Sequence, residues 1–407
     1  MKTKNILFVT YGGGHVNMIM PLYNFLCKST SYDIEIIGLT TAGFVLKNNS
    51  IVYSSFKDYL QLFSEEKVVY YGHMLSNNSL NSDLVPYEET VSYLGINYLE
   101  LVENFGEKEA ARLYQLKGRH AFYPVQSMKK ILESINPDIV VATNSPRSER
   151  AAIDAAGILG IPSVCIVDLF AFQSKSWIGK SGYATKVCVL SDFVKQQLIS
   201  EGRDENDIVV TGNPVFDSLK TYRNKSNHSK LSKNSKVILW ASQVEPLKHP
   251  FNESISGDPN LPRRIEAHLF DIISKHRDWK LILRPHPSDN VTYQDCPTSV
   301  VISDKSENLH ELISLVDVVI TMTSTVAIEA AIIGKHVITV DLSMFTKDSP
   351  YSEMGLSRGV SSLDELESVI VNTAESAPEI ERIEKIVGNP GHALENISKV
   401  ISELLKK

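Results

Sequence analysis

The chain has 407 residues, of which 43% are hydrophobic and 22% charged, and its formal net charge is -7 at pH 7. This length exceeds what one hydrophobic core usually serves, so two domains are expected. The acidic balance argues against nucleic-acid binding. The four cysteines show no CxxC pair or metal-ligand spacing, and no apolar run approaches the ~20 residues that span a bilayer. We therefore expect a cytoplasmic protein with free thiols and no bound metal, for which a peripheral contact with the membrane stays open.

The first 218 residues alternate apolar strands with helices. Their uninterrupted Val and Ile runs are typical of parallel strands covered on both faces, so a doubly wound, Rossmann-like domain is predicted for residues 1–218. Between about 53 and 127 the pattern weakens, and amphipathic pieces predict a helical insertion. The predicted elements are the strands "NILFVTY", "DIEIIGLT", "PDIVVATN" and "IPSVCIVD" and the helices "NMIMPLYNFLCKS" and "SERAAIDAAGILG", the second of which is capped by Gly160.

A polar segment separates this domain from a second α/β series. Residues 219–236 are dense in Lys, Ser and Asn and are predicted to form a solvated linker. Residues 237–390 alternate strands and helices again, and residues 391–407 form an amphipathic helix. The expected fold is α/β, with two doubly wound domains and a cleft between them. Ligands of such sheets bind beyond the carboxyl ends of the strands, so functional residues are expected in the loops that follow strands.

The stretch "ITMTSTVAIE" places four hydroxyl groups within five positions, where a buried strand ends and a helix begins. A Ser or Thr there is first of all a helix cap, but free N–H groups and the helix dipole also make such a start an anion site. We interpret Ser324 and Thr325 as phosphate ligands. Glu329 lies about one turn beyond Thr325 and is predicted to accept hydrogen bonds from a ribose. The alternative is a solvated helix glutamate.

Two further loops of the second domain carry polar side chains after a strand. In "LILRPHPS", two prolines stiffen a loop in which Arg284 and His286, followed by Pro287, are predicted to hold a phosphate. The alternative is a plain loop with a histidine packed by chance. In "ILWASQVEP", Ser242 and Gln243 are expected to close over the nucleotide.

In the first domain, "YGGGHVN" follows the first strand. Glycines permit positive φ and close backbone approach, and the spacing is not GxGxxG, so no dinucleotide fingerprint is present. His15 at this turn is a candidate general base, with a lone packed histidine as the alternative. Other candidates for this domain's site are the polar Asn144, the acid Asp168, and three fallback acids in "NSDLVPYEET", which are Asp83, Glu88 and Glu89.

These motifs resemble those of GT-B glycosyltransferases, a group that includes MurG-like N-acetylglucosaminyltransferases and capsule sugar transferases. In the MurG-like pattern, a glycine-rich turn ending in Gly-His follows the first strand, and here it maps onto Gly13, Gly14 and His15. A Thr-x-x-x-Glu helix that meets the donor's diphosphate and ribose maps onto Thr325 and Glu329. The resemblance implies a GT-B fold and sugar transfer from a nucleotide-sugar.

A second resemblance covers more of the chain. "VVATNSPRSERAAIDAAGILGIPSVCIVD" and "LSDFVKQQLISEGRDENDIVVTGNPVFDSL" look like stretches of the non-hydrolysing UDP-N-acetylglucosamine 2-epimerases, which share the GT-B fold. Their arginine-containing first loop is Gly-Gly-Gly-His here, and their Gly-Asp is Asn144-Ser145. Their His-Arg-Arg-Glu-Asn loop corresponds to Ala241–Gln243, while Asp168 takes one acidic position. Because this acid set is incomplete, the resemblance implies the fold rather than the epimerase chemistry.

A third resemblance is to bacterial sialyltransferases and Kdo transferases, whose His-Pro and Ser/Thr motifs hold the phosphate of a CMP-sugar. These map onto His286, Pro287, Ser324 and Thr325. The donor therefore stays open between a UDP-N-acetylhexosamine and a CMP-sialic acid or CMP-Kdo.

The function expected from these motifs is glycosyl transfer to a hydroxyl of a surface glycan or lipid-linked acceptor, inverting if His15 is the base. The nucleotide-sugar is a substrate, and no cofactor is expected. The alternative is a UDP-N-acetylglucosamine 2-epimerase-like epimerase or hydrolase that needs no acceptor. A binding module without catalysis is a further alternative, and the oligomeric state is not predicted.

Overall fold

In the computed structural model the chain forms two compact units. Unit 1 comprises Met1–Val215 and His392–Lys407, and unit 2 comprises Phe216–Gly391. Each contains one parallel six-stranded sheet, which confirms the predicted α/β class with two Rossmann-like domains. The candidate base Asp83 lies outside the described residues. The structure describes residues 3–29, 32–76, 84–226, 235–249, 252–289, 291–293, 296–374, 378–388 and 390–406.

The sheet of unit 1 has the strand order β2-β1-β3-β4-β5-β6. Every residue of β3 is buried, as expected of a central strand covered on both faces. The chain runs from β1 outward to β2 and then returns to the other side of β1, so β1 and β3 flank the switch point at which such sheets bind ligands. The strands are β1 (Asn5–Tyr11), β2 (Asp33–Leu39), β3 (Ile139–Thr143), β4 (Ser163–Ile166), β5 (Lys186–Val189) and β6 (Ile208–Val210).

Helices cover both faces of this sheet, and α3, α4 and α5 lie between residues 53 and 127. Gly160 ends α7 in the left-handed conformation, with φ 69°, which confirms the predicted cap. Helices α3 and α4 pack closely because Gly72 and Gly95 lie against backbone carbonyl groups, where a Cβ would collide. The helices are α1 (Gly12–Ser29), α2 (Thr41–Asn48), α3 (Glu65–Ser76), α4 (Tyr87–Phe105), α5 (Glu107–Lys117), α6 (Val125–Ile135), α7 (Ser148–Leu159), α8 (Lys175–Ile178) and α9 (Asp192–Ser200).

The sheet of unit 2 has the order β11-β10-β7-β12-β13-β14, so its switch point lies between β7 and β12. Its core is formed around the fully buried Trp240 by apolar side chains of these strands and of the helices that begin at Leu261 and Leu366. A two-stranded antiparallel hairpin, β8–β9, was not predicted. The strands are β7 (Lys236–Ala241), β8 (Lys248–His249), β9 (Asn252–Ser256), β10 (Trp279–Arg284), β11 (Val300–Ile302), β12 (Val318–Thr321), β13 (His336–Val340) and β14 (Arg358–Val360).

The segment predicted to be a linker begins with a helix, α10, which packs against α12 and α13 of the same unit. The apolar helix α13 ends at Gly334 in the left-handed conformation, with φ 88°. The helices of unit 2 are α10 (Leu219–Ser226), α11 (Leu261–Lys275), α12 (Leu309–Leu315), α13 (Val326–Ile333), α14 (Tyr351–Met354), α15 (Leu366–Ala374) and α16 (Ile380–Val387).

The final helix, α17 (Ala393–Leu405), belongs to unit 1. Its apolar face, with Ile397 and Ile401 fully buried, joins the core formed by α1 and the central strands. Unit 1 is therefore built from both ends of the sequence. No helix in the described ranges combines the length and the apolar character needed to cross a bilayer.

Candidate functional site

The glycine turn after β1 brings His15 to the switch point of the first sheet. α1 begins at Gly12, whose φ of +78° suits glycine. A Cβ at Gly13 or Gly14 would meet nothing within 4 Å, so the turn leaves open space beside the histidine. His15 is half-buried, and its Nδ1 lies 2.7 Å from the hydroxyl of Thr143, the last residue of β3.

A buried carboxylate stands behind that threonine. Glu149, in the first turn of α7, is 0% exposed. Its Oε1 accepts the backbone N–H of Tyr11 at 2.6 Å, and its Oε2 accepts the backbone N–H of Thr143 at 2.7 Å. Oε2 also pairs with the Thr143 hydroxyl. Burial raises the pKa of Glu149, while nearby His15 and the hydrogen bonds of Thr143 and Tyr11 act in the opposite direction. The three side chains form a relay, Glu149–Thr143–His15.

Asp168 lies just beyond the neighbouring strand β4, in a hydrogen-bonded polar cluster. Its Oδ1 accepts the side-chain amide N–H of Asn144 at 2.9 Å and the backbone N–H of Leu169 at 2.7 Å. The backbone N–H of Asp168 in turn donates to Asn144 Oδ1 at 3.0 Å. Oδ2 has no hydrogen bond to the described residues, and the carboxylate is half-buried. Asp168 is therefore held in place with one oxygen available to a ligand.

The fallback acids Glu88 and Glu89 lie apart from this cluster, in the first turn of α4. Glu88 is exposed, whereas Glu89 is buried beside Tyr53 and Lys57, and burial raises the pKa of Glu89. Among the described residues, no hydrogen bond or ion pair joins either acid to His15. The structure thus brings His15 together with Thr143 and Glu149, and not with these glutamates.

In unit 2, Gln243 links the two strands that flank the switch point. It follows β7, and its Oε1 accepts the backbone N–H of Thr323, beyond β12, at 2.7 Å. Its amide group also lies 3.4 Å from the hydroxyl of Thr323. The side chain therefore fixes the hydroxyl-rich loop that precedes α13 rather than pointing away from it.

The hydroxyl groups at the start of α13 are only lightly engaged within the protein. Ser324 Oγ accepts the backbone N–H of Val326 at 3.3 Å, and the exposed Thr325 lies 3.5 Å from Glu329 Oε1. The other oxygen of Glu329 is 2.7 Å from His310 Nε2, on α12. Glu329 is thus no freely solvated residue, because its side chain is 15% exposed and oriented by His310.

Arg284 and His286 have different surroundings although they are two residues apart. The guanidinium of Arg284 donates to Ser303 Oγ at 2.9 Å and to the carbonyls of Lys305 and Glu307, so it fastens the loop after β11. His286 lies between Pro285 and Pro287, and its Nδ1 is 2.7 Å from the Ser288 hydroxyl and accepts the backbone N–H of Ser288 at 3.2 Å. A backbone N–H can only donate, so the proton of a neutral His286 resides on Nε2, which faces no described partner.

Ser242 belongs to a buried charged network. Its hydroxyl donates to Glu266 Oε1 at 3.1 Å, and Trp240 Nε1 donates to the same oxygen at 3.1 Å. Arg263 pairs with Glu266 Oε2 at 2.6 Å and with Asp289 at 2.5 Å, which ties α11 to the loop after β10. Burial raises the pKa of Glu266. This network positions the loops that carry Ser242 and His286.

The sequence does not reveal the partners that orient the predicted residues. Thr143 lies in a predicted strand and Glu149 in a predicted helix, yet both support His15, and His310 supports Glu329 in the same way. One signal was present: both Thr143 and Glu149 lie at a strand-to-helix junction, where a carboxylate in the first turn can satisfy free N–H groups.

The family model of UDP-N-acetylglucosamine 2-epimerase matches residues 181–344. This span contains all the unit 2 residues predicted to bind nucleotide, from Ser242 to Glu329, and excludes His15, Thr143 and Glu149. No curated protein matches the chain.

Solved structures similar to the chain extend over nearly its whole length. The S. aureus MnaA–UDP co-structure has a TM-score of 0.60 and 13% identity, covering 99% of this chain and 97% of that one. UDP-GlcNAc 2-epimerase from Methanocaldococcus jannaschii has a TM-score of 0.58 and 15% identity, covering 98% and 99%. The Neisseria meningitidis enzyme bound to UDP-GlcNAc has a TM-score of 0.56 and 16% identity, covering 99% and 100%. These likenesses confirm the GT-B-like fold.

The glycosyltransferase expected from the motifs is wrong, because the matching family model and these structures are those of UDP-GlcNAc 2-epimerases. The Gly-His turn and the Thr-x-x-x-Glu helix indicated a glycosyltransferase, but these motifs lie at strand ends because the fold places ligand-binding residues there. Phosphates and ribose bind there whichever reaction follows. The chain is similar to nucleotide-sugar epimerases, in sequence across residues 181–344 and in fold throughout.

Proposed function

We propose that this protein is an enzyme that inverts C2 of a uridine diphosphate N-acetylhexosamine and needs no glycosyl acceptor. The observation that carries the proposal is the similarity of residues 181–344 to the 2-epimerase family model. That span holds the loops after β7, β10 and β12, at the edge where doubly wound sheets bind ligands. Two of the similar structures were solved with UDP or UDP-GlcNAc, which favours a uridine nucleotide over a cytidine nucleotide.

The nucleotide is assigned to unit 2. His286, with Nδ1 occupied by the N–H of Ser288, offers its Nε2–H to a phosphate oxygen. Ser324 and Thr325 add hydroxyl donors at the start of α13, where the helix dipole favours an anion. Glu329, held by His310, accepts hydrogen bonds from the ribose hydroxyls. Arg284 acts indirectly, by fastening the loop after β11.

Inversion at C2 requires that its proton leave from one face and return on the other. When the proton leaves C2, the electron pair of the C2–H bond forms a C1=C2 double bond, and UDP departs from C1 with the bonding pair. Return of UDP to C1 and of a proton to C2 gives the epimer, so atoms and electrons balance without an outside reactant. The step needs two proton-transfer groups, one for each face.

Two side chains of unit 1 suit these roles. His15 offers a ring nitrogen backed by the buried carboxylate of Glu149, and Asp168 offers Oδ2 from a fixed position. Asn144 and Ser145 stand where the epimerases carry Gly-Asp, so the proton must be transferred from other positions. We assign the removal of the proton to His15 and its return to Asp168.

The test is to incubate the protein with UDP-GlcNAc and follow the mixture by ¹H and ³¹P NMR. The expected result is a second UDP-N-acetylhexosamine that grows to a fixed ratio with the first. His286→Ala weakens binding of UDP, and His268→Ala, on the outer helix α11, is the matched control. Failure of UDP to bind, or binding with no change in the sugar, would contradict the proposal. Accumulation of UDP and free sugar would replace epimerisation by hydrolysis.

A further inference from the structure

The relay Glu149–Thr143–His15 determines where the imidazole proton resides. An ionised Glu149 can only accept hydrogen bonds, and it already accepts two backbone N–H groups. The hydroxyl proton of Thr143 must therefore point to Glu149 Oε2, with which it is paired. The remaining lone pair of that hydroxyl faces His15 Nδ1, 2.7 Å away, so Nδ1 carries the proton and Nε2 is left with a lone pair.

We propose that Glu149 and Thr143 are positioning residues that keep His15 in the Nδ1-protonated form, so that Nε2 is the basic nitrogen. The inference rests on the proposed function in one respect only, which is that His15 transfers a proton. A base needs a lone pair directed at the substrate, and a histidine with its proton on Nε2 has none there. The hydroxyl of Thr143 transmits the charge of Glu149 to the ring without contact between carboxylate and imidazole.

Two observations favour this role over a purely structural one. Glu149 and Thr143 are both 0% exposed, so no water competes for the hydroxyl proton. The carboxylate bonds to both strands at the switch point, since Tyr11 ends β1 and Thr143 ends β3.

The chain provides matched controls for both positioning residues. Glu100 is 4% exposed and, like Glu149, accepts two backbone N–H groups, from Gln126 at 2.9 Å and Ser127 at 2.7 Å, neither of which belongs to a relay with a histidine among the described residues. Thr10, near the end of β1, is 0% exposed, and its hydroxyl has no partner among the described residues. Glu100→Gln therefore makes the same chemical change as Glu149→Gln at another buried site, and Thr10→Val does so for Thr143→Val. Neither control alters a residue of the relay.

The experiment reads the histidine tautomers of the full chain labelled with ¹⁵N-histidine, at about pH 8, where an ordinary histidine is neutral. Long-range ¹H–¹⁵N correlations distinguish the two ring nitrogens, and the signal lost in His15→Asn identifies His15. We expect the Nδ1–H form in the wild type, in Thr143→Ser and in both controls. Thr143→Val is expected to shift His15 toward the Nε2–H form. An Nε2–H form in the wild type, or no change in Thr143→Val, would overturn the inference.

Turnover of UDP-GlcNAc supplies the second readout. Thr143→Val and Glu149→Gln should lower kcat by about 10- to 100-fold, the loss that removal of a hydrogen-bond partner behind a metal-bound histidine causes. KM should change little, and Thr143→Ser should restore kcat. If Glu149→Gln fails to fold, the comparison of Thr143→Val with Thr143→Ser still tests the inference. If the wild type turns over no UDP-GlcNAc, the proposed function fails, while the tautomer spectrum still decides this inference.

Discussion

Each unit has a histidine beyond the carboxyl end of a strand in its own sheet. The groups around the two rings differ, so one ring has a basic nitrogen and the other a hydrogen-bond donor. In unit 1, a hydroxyl backed by a buried carboxylate faces His15 Nδ1 and leaves Nε2 basic. In unit 2, a hydroxyl also lies near the ring, that of Ser288, but the backbone N–H of Ser288 points at His286 Nδ1 as well and leaves Nε2 as a donor. One ring is prepared to accept a proton and the other to bind an anion. The hydrogen-bond partner of Nδ1, and not the sequence motif around the histidine, therefore determines whether Nε2 accepts or donates a proton.

The largest expected effect is on His15. His15→Asn removes the base but keeps a polar side chain at the glycine turn. We expect kcat for UDP-GlcNAc to fall roughly 100- to 10,000-fold, the usual contribution of general base catalysis. The rise in melting temperature caused by UDP should persist, because the nucleotide is assigned to unit 2. Loss of UDP binding together with turnover would show that the two histidines do not have separate roles.

The second effect is on His286. His286→Ala removes an N–H donor from a phosphate, and a hydrogen bond to a charged group contributes about 1.5–3 kcal/mol. The affinity for UDP should therefore drop roughly 10- to 100-fold. Titration calorimetry with UDP measures this directly, with His268→Ala as reference. An affinity equal to that of the reference would remove His286 from the nucleotide site.

A smaller effect is expected at Glu329. Glu329→Gln keeps an acceptor for the ribose but loses the charge that pairs with His310. The affinity for UDP should fall by about 5- to 10-fold, near the 1 kcal/mol of a typical hydrogen bond. The affinity for inorganic pyrophosphate, which lacks a ribose, should be unaffected. Equal losses for both ligands would show that Glu329 only supports the helix.

The smallest effect is the pH dependence of stability in Glu149→Gln. Burial raises the pKa of Glu149 above its ordinary 4.5. A carboxyl with a higher pKa in the folded state stabilises the protein below its unfolded pKa, and this contribution is lost as the pH rises toward the folded value. The glutamine variant lacks the dependence.

The unfolding free energy of the wild type minus that of Glu149→Gln should therefore decrease as the pH rises above about 4.5. Thermal or urea unfolding at several pH values measures it, with Glu100→Gln as the comparison of equal burial. If this free-energy difference increased with pH, the folded state would favour the ionised carboxylate. The pKa of Glu149 would then be lowered on folding, whereas burial raises it.

Much of the fold could be predicted from the sequence because its signals are local. The Val and Ile runs located β1, β3 and β4, and Gly160 located the end of α7. The hairpin Lys248–His249 and Asn252–Ser256 could not be found, since its strands are short and polar. Helix α10 could not be predicted either, because its residues lack the apolar periodicity on which helix prediction depends.

The candidate site was predictable only in part. His15 and His286 could be predicted because glycines precede the first and prolines flank the second. Glycine permits and proline restricts backbone conformations in any sequence, so both are visible signals of a specialised loop. The role of Glu149 depends on the pairing of β1 with β3, in which Ile6 lies beside Ile139. That pairing joins residues far apart in sequence, and no local pattern contains it. The reaction was also mispredicted, because phosphate-binding motifs serve many reactions on one fold.

Deuterium exchange at C2 shows directly whether His15 removes the C2 proton. The wild type, His15→Asn and His286→Ala are each incubated with saturating UDP-GlcNAc in deuterated water, and the C2 proton is followed by ¹H NMR. We expect deuterium to enter C2 with the wild type and with His286→Ala, and we expect His15→Asn to abolish this exchange. Exchange by His15→Asn at the wild-type rate would rule out His15 as the base, because another group would then be removing the proton.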